Sequence, residues 1–75
     1  MLKEGNVVTL KNKYKYDVLF STIYNNDNYI LLSNQNNFFD SSFYKYNNLK
    51  NLEFVKDINI IQILIKKFEK KCNNK

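Results

Sequence analysis

Seventy-five residues, 44% apolar and 16% aromatic, make a single small domain over 1–75 that is too rich in Phe, Tyr, Ile and Leu for a disordered chain. With no histidine, one glycine and one cysteine, the chain is excluded from Ser/His or Cys/His catalysis, His/Cys zinc sites, an internal disulfide and glycine-rich phosphate loops. The net charge of +5 is discounted by its position, since residues 66–75 alone carry a net +4, and by a composition of fourteen Asn, twelve Lys and no Arg, Ala, Pro or Trp that reads as the drift of an A/T-rich genome.

In chain order, Gly5 and Asn6 open a strand at "VVTLK", whose Val7, Val8, Thr9 and Leu10 are strand formers. A second strand over 14–24 alternates Tyr14, Tyr16, Val18, Phe20, Thr22 and Tyr24 with Lys15, Asp17, Leu19, Ser21 and Ile23, so the rings and the lysines of "NKYKY" are expected on opposite faces. In "YNNDNY" the asparagines and Asp27 are the residues able to take positive φ, which predicts a hairpin. "YILLS" returns as a central strand covered on both faces. The segment "NQNNFFDSSF" reads as a loop, and its Phe38, Phe39 and Phe43 either plug an open barrel end or stand out as a binding anchor.

"FYKYNN" and "NLEFVK" are two short strands around an asparagine-rich turn. From Asp57 the period changes. Ile61, Leu64, Ile65 and Phe68 recur at helical spacing, widened by Ile58, Ile60 and Ile63, which predicts a helix over about 57–71 capped by Asp57 and followed by a basic tail over 72–75. Lysines 66, 67, 70 and 71 complement the negative end of its dipole, and Cys72 continues its apolar face as a packed thiol. The expected fold is α+β: a small antiparallel sheet or partly open barrel of four to five strands, within 6–56, closed by one C-terminal α-helix.

The stretches "EGNVVTL", "YKYDVLFSTIY", "NYILL" and "INIIQILIKKF" together resemble a short uncharacterised bacterial family, the YrzB-like proteins, in their order of strand, "Y-x-V-L", "Y-x-x-x-x-Y-x-L-L" and closing helix. The resemblance implies the fold and carries no activity, ligand or site residue.

No motif joins the carboxylates Asp17, Asp27, Asp40, Glu53, Asp57 and Glu69, so no enzymatic activity, metal or cofactor is expected. "INIIQILI" is shorter than the roughly 20 residues of a membrane span, and the N-terminus has no signal-peptide pattern, so the expectation is a cytoplasmic protein without membrane contact. The leading functional expectation is a protein-binding module, in its specific form a phage or mobile-element accessory that inhibits a host complex as anti-CRISPR proteins do. Its contact patch is Tyr44 and Tyr46 with Phe38 or Phe39, because tyrosine anchors interfaces at small entropic cost. The alternatives are a small nucleic-acid-binding barrel using Lys11, Lys13, Lys15 and Lys45, and a structural subunit or homodimer that covers a sheet edge.

Overall fold

The computed structural model describes residues 2–48 and 51–73. Five strands form one antiparallel sheet in sequence order: β1 (Val7–Thr9), β2 (Lys15–Tyr24), β3 (Asp27–Asn34), β4 (Asn37–Asn48) and β5 (Asn51–Phe54). Among the described residues one helix, α1 (Ile58–Asn73), follows. The α+β expectation is met, with a curled half-barrel as its sheet. Leu49 and Lys50 of the predicted asparagine-rich turn, and Asn74 and Lys75 of the predicted basic tail, lie outside the described residues.

The turns follow from local chemistry. Asn25 and Asn26 take φ of 53° and 67°, the pair of positive angles that a two-residue hairpin requires, and Asp27 already belongs to β3. Between β1 and β2, the Lys13 N–H donates to the Leu10 carbonyl (2.9 Å) and Lys13 takes φ of 70°, a position at which glycine is the usual occupant. Gly5, at φ 89°, turns the chain into β1 and donates its N–H to the Val18 carbonyl at 3.0 Å.

A bulge in β2 decides which side chains share a face. Register passes from Val18↔Leu32 to Phe20↔Leu31, leaving Leu19 without a counterpart. Tyr16 and Val18 therefore join Ile30 and Leu32 on the concave inner face, where Leu2 also packs, while Phe20 joins Tyr29, Leu31 and Phe43 on the outer face. The expectation that Tyr14, Tyr16, Val18 and Phe20 share one face is thus corrected, because one unpaired residue reverses a period of two. Tyr14 lies outside the strand and is half exposed, at 50%.

Helix α1 covers the outer face. Leu64, fully buried, is its centre, with Ile60, Ile61 and Phe68 packed around Phe20, Tyr29, Leu31, Phe43 and Val55. Phe68 meets Phe20 with ring centroids 5.4 Å apart. Asp57 caps the helix as expected: its Oδ1 accepts from the Asn59 N–H (2.9 Å) and its carbonyl from the Ile61 N–H (2.9 Å). Two readings of the helix are corrected. Ile65 and Ile58 face solvent, since the sheet touches a stripe too narrow for the whole apolar arc, and Cys72 is exposed one turn beyond the last packed ring. At the C-terminal end Lys71 pairs with Glu4 and lies 5.5 Å from the centre of the Phe20 ring. No helix among the described residues is long and apolar enough to cross a membrane.

Candidate functional site

The β3–β4 hairpin turns at Gln35 and Asn36, with the Asn36 N–H donating to Asn34 Oδ1 at 2.8 Å. Just beyond it the register jumps from Ser33↔Ser41 to Asn34↔Asn37, so Phe38, Phe39 and Asp40 have no counterparts on β3. The segment expected to be a loop is therefore the bulged start of a long strand. Asn37 and Ser41 supply local bonds within it: Asn37 Oδ1 accepts from the Phe39 N–H at 3.1 Å, and Ser41 Oγ donates to the Phe38 carbonyl at 2.9 Å.

Asp40 ties the bulge to the body of the sheet. Its Oδ2 accepts from the Tyr16 hydroxyl at 2.6 Å and from Asn34 Nδ2 at 3.2 Å, and the Tyr16 oxygen accepts in turn from Asn12 Nδ2 at 3.0 Å. The Tyr16 bond, and after it the Asn34 bond, hold the Asp40 carboxyl below its ordinary pKa of 3.8, against a smaller opposing effect of desolvation. With Asp40 drawn inward, Phe38 and Phe39 project into solvent, 77% and 98% exposed. Of the two readings left open for these rings, the exposed one holds. Phe43 instead fills the core.

The β1–β2 turn lies at the same end of the half-barrel. The Gln35 N–H donates to the Lys15 carbonyl at 2.9 Å and Gln35 Nε2 to Asp17 Oδ1 at 2.8 Å, which seats the start of β2 beside the β3–β4 turn. Lys11, Lys13, Lys15 and Tyr14 are consequently exposed at the end that carries Phe38 and Phe39. Rings and ammonium groups share an end of the molecule after all, because the rings come from Tyr14 and the bulge and not from the alternating strand.

The remaining expected site residues fall elsewhere. The expected contact patch needs Tyr44 and Tyr46 to point outward; Phe43 turns to the helix-covered face, but the face opposite it is the concave one, and both tyrosines pack half-buried against the inner cluster. Burial raises the pKa of the Tyr44 phenol, and its ring meets Phe54 edge-on at 5.6 Å. Lys45 pairs with Asp27 at 3.6 Å on the helix-covered face, opposite Tyr29. Register places it level with Thr22, seven residues along β2 from Lys15 and so roughly 20 Å away. It is not part of the lysine group at the bulge.

Sequence reasoning passed over the Asn12, Tyr16, Asp40 and Asn34 network, which matches no motif and whose two local pairs are joined by a Tyr16–Asp40 bond spanning 24 residues. It also passed over a cleft of about 370 Å³ that separates β1 from β4 and β5, lined by Val8, Leu10, Tyr44, Leu52 and Phe54 among others. Apolar residues in both terminal strands of an odd-stranded sheet were the available signal. No family model matches the chain, and neither a curated protein nor a solved structure matches it. Nothing from these comparisons bears on the YrzB-like resemblance.

Proposed function

We propose that the protein is a non-enzymatic protein-binding module that acts by occupying a surface on a larger partner, with Phe38 and Phe39 as its anchor. The observation that carries this reading is the pair of nearly naked phenylalanines held on a hydrogen-bonded bulge. Two adjacent rings left in water forgo about 1.5–3 kcal/mol each, which a partner's apolar pocket would supply on binding. The bulge is preorganised by Asp40, Asn37 and Ser41, so little ordering entropy is lost when the rings dock.

The test is a Phe38→Ser, Phe39→Ser double variant. Both rings are exposed, so the variant should keep the wild-type melting temperature. A partner identified by crosslinking to the wild type and then purified should bind the variant at least a hundredfold more weakly. Equal affinity for the two proteins would remove the bulge from the interface.

A second reading, a single-stranded nucleic-acid binder, is favoured by the exposed Lys11, Lys13 and Lys15 at the same end as Tyr14, Phe38 and Phe39. Cations beside stacking rings are the two components such platforms combine. Without arginine there is no bidentate contact to guanine, so binding on this reading is sequence-independent. Three phosphate contacts give a slope of about −2 in log affinity against log salt. Titration of oligothymidylate into the wild type and a Lys11→Gln, Lys13→Gln, Lys15→Gln variant decides it, and identical isotherms would end this reading.

A further inference from the structure

The sheet leaves two edges facing each other across the cleft between β1 and β5. Flanking β1, the bonds from the Val18 N–H to the Asn6 carbonyl (2.9 Å) and from the Leu10 N–H to the Tyr14 carbonyl (3.2 Å) fix the alternation, so Asn6, Val8 and Leu10 bond toward the stretch from Tyr14 to Val18. The backbone groups of Val7 and Thr9 point the other way. On β5 the Val55 N–H donates to the Phe43 carbonyl at 3.0 Å, which makes Val55 and Glu53 the bonded positions and turns the backbone of Leu52 and Phe54 outward.

Five strands in a meander leave β1 and β5 running in the same direction. Direct closure would demand a parallel pair, whereas one added strand running against both gives an all-antiparallel barrel of six. Between the edges the wall is largely apolar, formed by Val8, Leu10, Tyr44, Leu52 and Phe54, with Thr9 and Asn12 as its uncharged polar residues, in a cleft of about 370 Å³. Its charged lining residue is Lys11, and no carboxylate lines it among the described residues. Lys11 stands where β1 ends, so a strand running against β1 begins beside it.

We propose that this cleft is a strand-acceptor site for an extended segment of another protein, with alternate apolar side chains directed inward and carboxylates at its N-terminal end, which completes the barrel. Backbone bonds to Val7, Thr9, Leu52 and Phe54 give affinity, the inner wall reads the alternate side chains, and Lys11 sets direction. The site is separate from the Phe38–Phe39 anchor. A second copy of this chain fits less well, because it would bring its own lysine-rich strand ends to a cleft whose charged wall is a lysine.

The probe is a synthetic nonapeptide of two aspartates followed by alternating threonine and valine, titrated into isotopically labelled protein. Saturable binding is expected, with the largest amide shift changes at Val7, Thr9, Leu52 and Phe54 and slowed hydrogen exchange at the same amides. Replacing the aspartates by lysines, or N-methylating the peptide at the residues that face β1, should weaken binding at least tenfold. Thr9→Pro deletes an outward N–H and spares the bonds of Val8 and Leu10 to β2, and should weaken binding at least fivefold. The Phe38→Ser, Phe39→Ser variant should bind the peptide as the wild type does, which separates this site from the proposed anchor. The proposal is overturned by absence of saturable binding up to millimolar peptide, by equal affinity of the N-methylated peptide, by shift changes confined to the bulge, or by protection of the edge amides through self-association or oligothymidylate.

Discussion

Lys13 holds a backbone angle that costs an L-residue about 1–2 kcal/mol, and its side chain is exposed, with no hydrogen bond or ion pair among the described residues. Lys13→Gly should therefore stabilise the protein by about 0.5–1 kcal/mol after the extra chain entropy of glycine is subtracted, a rise of a few degrees in melting temperature. A fall in melting temperature would mean that the lysine side chain contributes to the turn. Asp40 supplies the counterpart at acid pH. Its carboxyl is held below its ordinary value in the folded protein, so its stabilising effect is complete above the unfolded pKa and disappears as pH falls through the folded one. Asp40→Asn should accordingly be less stable than wild type near pH 7, with the difference in melting temperature closing below about pH 4. A constant difference from pH 7 to pH 2 would show that the carboxylate charge has no part in holding the bulge.

At the scale of elements, α1 illustrates how a correct period can still misplace a contact. Helical spacing put Ile61, Leu64, Ile65 and Phe68 on one arc, and the arc exists, but the sheet buries Leu64 completely and leaves Ile65 42% exposed. Leu64→Ala should cost about 2–5 kcal/mol, and Ile65→Ala about 1 kcal/mol or less, measured by denaturant unfolding. Similar costs at the two positions would indicate that the exposed side of α1 is covered in solution. The strand β2 shows the complementary case. Its composition announces a strand, and its alternation is sound up to Val18, but at Leu19 it bulges, where Gly5 and Asn6, just before β1, bond to Val18 on one side and β3 resumes pairing at Phe20 on the other. Neither partner is visible within the strand.

For the whole molecule, the open half-barrel implies a definite pattern of hydrogen exchange in the free protein. Amides of Val7, Thr9, Leu52 and Phe54 should exchange quickly, whereas Ile30 and Leu32, buried between paired neighbours on both sides, should exchange only on global unfolding. Protection of the four edge amides in dilute free protein would mean that β1 and β5 are already covered. From sequence alone came a sheet of four to five strands closed by one helix, the Asn25–Asn26 turn and the Asp57 cap, because each is set by conformational preference over a few neighbouring residues, whereas the first half of β4 read as a loop. The tertiary structure decided the rest. Which rings are buried depends on two register jumps that exist only between strands: Leu19 sends Phe20 to the helix, and the unpaired Phe38–Asp40 segment, with Asp40 anchored by Tyr16, puts two phenylalanines into water. Burial on both faces of a curled sheet likewise turned Tyr44 and Tyr46 inward, since a strand's own pattern distinguishes its two faces but does not say what covers each.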